Sequence, residues 1–244
     1  ALAGTIEAGP GRATLRRMTR RQMARTLKQL FGIDVPVERF LPRDASGYGF
    51  DTTGDTLFVT PLYFESWYEC VEYVVDALRS KEGGVPSVDT SAVREFLGAA
   101  FSREATEAEI EARLELARAE DGDGWLDVVR ATLLSQEFLY RVEGRGSGSA
   151  SAGTGASAAE RVARHTLASR LSFFLHGTRP DDALLARAAA GELDSEEALL
   201  AIVEQLLDDP RSRSLAEDFA TQWLGTSELV DVTPDVRRYS GFNE

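Results

Sequence analysis

Residues 16–78 read RRMTRRQMARTLKQLFGIDVPVERFLPRDASGYGFDTTGDTLFVTPLYFESWYECVEYVVDAL. This stretch contains a basic helix, a polar glycine-rich loop and the clearest amphipathic helix of the chain. In that helix, apolar side chains recur three and four residues apart, which predicts one buried face: Phe64, Trp67, Tyr68, Val71, Val74, Val75 and Leu78. Thr60 and Pro61 mark its start, because a threonine hydroxyl caps free amides and proline suits the first turn.

The same helical spacing recurs along the rest of the chain, and two further helix starts carry a capping box. Thr19 is followed three residues later by Gln22, and Thr106 is followed by Glu109, which is the pattern of reciprocal capping. No stretch alternates apolar and polar residues for long enough to predict a strand. The sequence therefore predicts an all-α fold.

Residues 144–158, GRGSGSASAGTGASA, are small and polar, a composition typical of a flexible linker. We therefore expect two helical bundle-like parts joined by this Gly/Ser/Ala segment. The first part, residues 1–143, holds one or more helical modules, and residues 159–230 form the second. Residues 231–244 lack helical periodicity and look like a truncated tail.

The charge is distributed unevenly along the chain. The formal net charge is −13, yet residues 1–31 carry seven basic side chains against Glu7. Such a basic segment fits either a contact with nucleic acid or another anion, or packing against the acidic remainder of its own chain. Because that remainder would repel a phosphate backbone, we expect internal pairing and no nucleic-acid partner. The arginines concerned are Arg16, Arg17, Arg20, Arg21 and Arg25.

The polar loop at residues 41–55 is a candidate binding loop, with five residues of interest: Asp44, Tyr48, Phe50, Asp51 and Asp55. Clustered carboxylates suit Ca²⁺, but their spacing matches no EF-hand loop, and turn formation explains them as well. Aromatic side chains are costly to expose among glycines. The loop should therefore be ordered against the 61–79 helix through its Tyr48 and Phe50 rings.

No catalytic, cofactor-binding or metal-binding residue is predicted. The chain has one cysteine, Cys70, so a cysteine-based zinc or iron–sulfur site is excluded, and there is no nucleophile elbow. His165 and His176 lie ~16 Å apart on one helix and cannot share a metal. Surface or helix-capping roles suit them better than axial haem ligation. No apolar run reaches the ~20 residues of a membrane span.

Arg170 is the most informative single charge, since the helical wheel places it between Leu167, Leu171 and Phe174. A buried guanidinium needs acceptors. We therefore predict a structural ion pair and favour it over an anion-binding site. The candidate partners are Asp181 and Asp182, then Glu217 and Asp218.

Three stretches resemble helical domains of unknown function from planctomycete and myxobacterial exported proteins associated with the planctomycete cytochrome c domain. They are residues 15–67, with the motif DASGYGFD, residues 94–143, and residues 168–225, with LSFFLHGTRPDD. The resemblance implies a periplasmic or cell-surface location and a longer parent chain whose other modules carry c-type haem. Gln22-Met23 and His176 depart from the usual family pattern, and this chain has no haem motif.

The resemblance and the residues together lead to one functional expectation and two alternatives. The chain is expected to be a non-catalytic scaffold or interaction module of a larger haem-associated protein, partnered by the other modules of its parent. One alternative is a part of an oxidoreductase or polymer-degrading enzyme whose active modules lie elsewhere. The other is nucleic-acid binding through the basic helix.

Overall fold

The computed structural model describes residues 16–81, 84–119, 122–141, 164–226 and 238, apart from the side chain of Asp55. These residues are mostly helical, which confirms the all-α prediction. The predicted linker at 144–158 lies outside the described residues, and so does the predicted tail at 231–244 apart from Arg238.

Six α-helices follow one another among the described residues of the first part. They are α1 (Arg20–Phe31), α2 (Pro61–Arg79), α3 (Thr90–Phe101), α4 (Glu107–Ala117), α5 (Trp125–Leu133) and α6 (Gln136–Leu139). The predicted caps form as expected. Thr19 and Thr106 make reciprocal capping boxes with Gln22 and Glu109, and the Thr60 hydroxyl accepts a hydrogen bond from the Tyr63 amide.

One large core fills this part, and the buried face of α2 forms much of it. Trp67 is fully buried, stacks on Phe138 with ring centroids 6.0 Å apart, and donates its indole N–H to the Leu133 carbonyl at 2.9 Å. The buried face of α2 is rotated from the predicted one: Tyr63 and Cys70 are buried, whereas Phe64 and Tyr68 are exposed. Tyr63 turns inward because its hydroxyl accepts a hydrogen bond from the buried Arg17 guanidinium.

A short antiparallel pair of strands ties the two ends of this part together. Strand β1 (Arg16–Arg17) pairs with β2 (Tyr140–Arg141), and the Met18 amide donates to the Leu139 carbonyl at 3.2 Å. The sequence did not predict this pair, since two residues are too few to show an alternating pattern.

The second part contains α7 (Arg164–Leu175), α8 (Asp182–Ala189) and α9 (Glu196–Asp208). A continuous helical segment follows: α10 (Arg213–Leu215), a π-helical turn (Ala216–Ala220) and α11 (Thr221–Trp223). A smaller core forms between α7, α8 and α9, with Ala168, Leu184 and Ile202 at its centre. Phe173 of α7 belongs to the large core instead, so α7 packs on both parts.

No helix of the described residues combines the length and the apolar composition that a membrane span requires.

Candidate functional site

Two arginine-rich regions are the candidates for function: the basic face of α1 with the 41–55 loop, and a cleft between the two parts. On the basic face, Asp44 is the first organising group. Its carboxylate accepts hydrogen bonds from the Arg17 guanidinium at 2.8 Å and from the Arg20 backbone amide at 2.7 Å. Asp44 therefore balances a buried arginine and also places negative charge at the N-terminus of α1, where the helix dipole favours it.

Asp218 is the second organising group, and it comes from the π-helical turn. Its carboxylate makes a two-point ion pair with Arg25, with one contact at 3.0 Å, and lies 3.3 Å from Arg21. Arg21 also donates to Asp51 at 2.8 Å. The predicted internal pairing is thus confirmed for Arg17, Arg20, Arg21 and Arg25. Arg16 is the exception, since it lies exposed on β1 with no acidic partner among the described residues.

The contacts around Asp218 continue into a wider interface between α1, the loop and the second part. The Thr178 hydroxyl donates to Gln29 at 2.9 Å, and the Asp51 amide donates to the Gln222 side chain at 2.7 Å. Gly177 has a φ of +62°, and a β-carbon there would lie 2.3 Å from the Arg25 guanidinium. Glycine at this position therefore permits both the turn after α7 and the close approach of Arg25.

The candidate binding loop divides between these ion pairs and a tight turn. Asp44 and Asp51 take part in the ion pairs described above, and the side chain of Asp55 lies outside the described residues. Gly47 and Phe50 exchange two backbone hydrogen bonds, at 2.9 and 3.0 Å, which places Tyr48 at the tip. In the described part of the chain, no group of histidine, cysteine or acidic side chains lies close enough together to hold a metal ion.

The prediction that Tyr48 anchors the loop is wrong, because its side chain is 99% exposed. The two-residue turn gives Tyr48 a φ of +53° and directs its ring outward. Phe50 is the aromatic anchor, and its partner lies on the second part. It stacks on Phe219 with centroids 5.7 Å apart, and Phe219 in turn stacks on Trp223.

The prediction of a buried Arg170 is also wrong, because Arg170 is exposed on α7. The four carboxylates proposed as its partners face other arginines: Asp181 pairs with Arg211 at 2.8 Å and Asp182 with Arg179 at 3.0 Å. Glu217 pairs with Arg213, and Asp218 pairs with Arg25. The physical reason is the orientation of α7, which turns Phe173 and Ala168 to the two cores and leaves Phe174 exposed.

The second candidate region is a cleft of about 700 Å³ between the α3–α4 turn, the α6–β2 segment and α7. Arg103, Arg141, Arg170, Arg179 and His165 line it together with three glutamates, Glu104, Glu107 and Glu137. Some of this charge is already balanced nearby. Arg103 makes a two-point pair with Glu109, and Glu107 makes one with Arg94. The Arg103 hydrogen bond holds the pKa of Glu109 at about 2.

Arg179 is the buried arginine that the sequence analysis missed. It follows the Gly177 turn, is 5% exposed, and lines the cleft. Burial lowers the pKa of this arginine from its usual value, although Asp182 acts in the opposite direction. The sequence did carry a signal for it, since Asp182 lies three residues away at the start of α8.

The two histidines and the cysteine have separate surroundings. His165 lines the cleft, whereas His176 is buried and its Nε2 lies 2.8 Å from the Leu206 carbonyl in the last turn of α9. Since a carbonyl only accepts, Nε2 carries the proton and caps that helix. Helix capping was one of the two roles predicted for the histidines. Cys70 is buried in α2.

Comparison with protein families gives two local matches. Residues 16–79 match the model of PSD3, a protein of unknown function (DUF1587), and residues 162–244 match the model of PSD4, a protein of unknown function (DUF1592). Each match covers less than half of the chain. Neither the curated proteins nor the solved structures include a match to it. The chain is therefore similar, at its two ends, to two helical domains of unknown function.

Proposed function

We propose that this chain is a non-catalytic helical scaffold, which holds its DUF1587-like and DUF1592-like segments together within a larger exported, haem-associated protein. The observation that carries the proposal is the position of Asp218. This carboxylate lies in the second matched segment and pairs with Arg21 and Arg25 of the first. The most distinctive charges of the sequence are thus used to join the two segments.

The remaining interface contacts support the same role. The side chain of Gln222 accepts from the loop backbone, Phe219 stacks on Phe50, and Thr178 donates to Gln29. An ion pair, a hydrogen bond to the backbone and an aromatic stack together constrain the relative orientation of the two segments. A fixed orientation is what a scaffold needs in order to position neighbouring modules.

The exported and haem-associated parts of the proposal rest on the family resemblance of the three quoted stretches. In this proposal, other modules of the parent bind c-type haem, and this chain holds those modules in position. Arg21 and Arg25 would then contribute to the internal interface and not to nucleic-acid binding, because their charge is already balanced by Asp51 and Asp218.

The test uses the full-length parent protein. Haem staining of a denaturing gel should give a covalent haem band from the periplasmic or surface fraction, with a c-type visible spectrum. Asp218→Asn in the parent should leave the haem content unchanged while increasing protease cleavage between the two segments. A parent without haem would refute the association, and unchanged protease resistance would refute the scaffold role.

A separate measurement tests the nucleic-acid alternative with this chain alone. Binding to duplex DNA should be weak at near-physiological salt. Tight binding with a steep salt dependence, which is the signature of phosphate neutralisation, would contradict the proposal that the basic helix is used internally.

A further inference from the structure

The cleft between the two parts has the size and shape of a binding site for a small molecule. Its volume of about 700 Å³ lies within the ~300–1,000 Å³ that ligand pockets usually occupy. Its lining residues come from both parts: from the α3–α4 turn, from the α6–β2 segment and from α7. The cleft therefore depends on how the two parts pack against each other.

Arg179 provides the strongest indication of what the cleft binds. Its side chain is almost completely buried, yet its one described acidic partner, Asp182, is 80% exposed. One hydrogen bond joins them, from Nη2 at 3.0 Å, and it is the only hydrogen bond that the Arg179 guanidinium makes with the described residues. The Nε also lacks a partner there but, like the Nε atoms of Arg17 and Arg20, it is sealed from solvent. A guanidinium has five N–H donors, and leaving buried donors unpaired is costly. An acceptor with negative charge in the cleft would pair with the Nη groups, which the exposed Asp182 carboxylate satisfies only in part.

The charges around Arg179 are compatible with an anion. Three other arginines, Arg103, Arg141 and Arg170, line the cleft together with His165. All three also interact with other groups of the chain, so they add positive potential while Arg179 provides the main contact. Of the glutamates that line it, Glu107 is already held by Arg94, which leaves Glu104 and Glu137 as the opposing charges. Arginine is also the side chain whose planar group best matches carboxylate and phosphate oxygens.

The apolar part of the lining indicates that the ligand is more than a bare ion. The buried rings of Phe101, Phe138 and Phe173 reach the cleft. The Arg141 guanidinium lies 4.3 Å from the Phe173 ring centroid, so a cationic and an aromatic surface adjoin one another. Inorganic phosphate would use the arginines and leave the aromatic surface unoccupied. A ligand with an anionic group on an apolar body uses both.

We propose that this cleft binds a small organic anion, whose carboxylate or phosphate group pairs with Arg179 while its apolar body lies against Phe173. The site is separate from the Asp218 interface and does not require haem or any other module of the parent.

The experiment measures binding of three probes to the whole chain by titration calorimetry and NMR: benzoate, phenyl phosphate and inorganic phosphate. At least one organic probe should bind with a Kd of about 1 mM or tighter, the range expected for ligands of this size. Inorganic phosphate should bind at least about tenfold more weakly. Comparison of benzoate with phenyl phosphate decides between a carboxylate and a phosphate as the anionic group.

Two variants locate the site, and a third is the control. Arg179→Met should weaken the organic probe at least about tenfold, since it removes a charge-assisted hydrogen bond. Ser169→Trp fills the cleft from α7 without changing any arginine and should also abolish binding, which keeps the test decisive if Arg179→Met fails to fold. Arg213→Met removes an exposed arginine whose partner is Glu217 and should leave binding unchanged. The proposal is overturned if no organic probe binds or if inorganic phosphate binds as well as they do. It is also overturned if a folded Arg179→Met variant or Ser169→Trp binds normally.

Discussion

The basic face of α1 and the cleft both gather arginines, but they balance the charge differently. On α1, Arg17 shares the buried carboxylate of Asp44 with Arg20, and Arg25 has a two-point pair with Asp218. In the cleft, Arg179 has one hydrogen bond, to the Asp182 carboxylate, whose side chain is 80% exposed compared with 6% for Asp44. The difference separates arginines that join parts of the chain from an arginine that is available to a ligand.

The largest effect is expected at Asp44, where the balance on α1 is most deeply buried. Asp44→Ala leaves the Arg17 guanidinium buried without its carboxylate and should lower the free energy of unfolding by ~3–5 kcal/mol. Urea unfolding followed by circular dichroism measures the change. The double variant Arg17→Met/Asp44→Ala should recover most of the loss. If the single and double variants were equally unstable, the ion pair would not be the source of the effect.

A smaller effect is expected at Asp218, which is partly open to solvent. Asp218→Asn weakens the contacts with Arg21 and Arg25 and should lower the free energy of unfolding by ~1–2 kcal/mol. Its neighbour Glu217 is the matched control, since it pairs with Arg213 on the surface, and Glu217→Gln should change stability by ~0.3–0.5 kcal/mol or less. Equal losses for the two variants would contradict a special role for Asp218.

The pair of Glu109 with Arg103, beside the cleft, should stabilise the fold in a pH-dependent way. The Arg103 hydrogen bond depresses the pKa of Glu109 to about 2, below that of the unfolded chain. Its stabilisation is therefore fully present above about pH 4.5 and is lost as the pH falls toward 2. Because the pair is partly exposed, it contributes at most about 1 kcal/mol. The stability difference between wild type and Glu109→Gln should shrink from pH 6 to pH 3, and a constant difference would exclude this linkage.

The smallest effect is expected at the exposed tip of the loop. Tyr48→Gly removes a ring that the turn directs into solvent and relieves a positive φ, while the unfolded chain gains flexibility. These changes nearly cancel, so the free energy of unfolding should change by less than about 0.5 kcal/mol. Phe50→Ala provides the comparison, because it removes the stack on Phe219 and should destabilise more. A large loss at Tyr48 would show that the loop is held differently.

The sequence predicted those features that depend on residues close together along the chain. Both capping boxes and the Thr60–Pro61 start of α2 formed as expected, because each is determined within one helical turn. The internal pairing of the basic helix was also predicted, since the acidic remainder of the chain attracts arginines and would repel a phosphate backbone. The sequence could not show that Asp218 is a principal partner of the basic helix, because Asp218 lies 193 residues from Arg25 along the chain.

Helix orientation was the main feature that the sequence could not determine. On α7, the stripe of large apolar residues suggested one buried face that contained Arg170. The helix instead lies between two cores and buries small residues, Ala168 and Ser172, alongside Phe173. A helix with two packing partners has no single apolar face, so a wheel diagram places its polar residues incorrectly. The cleft, and the burial of Arg179 beside it, depend on that orientation.

The position of Cys70 has a practical consequence for measuring how this fold moves. It is the only cysteine in the chain and lies fully buried in α2, and burial raises the pKa of its thiol to about 12. Since the thiolate is the reactive form, a thiol reagent can modify Cys70 only when the surrounding helices open. The rate of labelling in native buffer therefore reports the free energy of that opening, without any engineered probe, and a cysteine introduced on the surface would be labelled selectively against it.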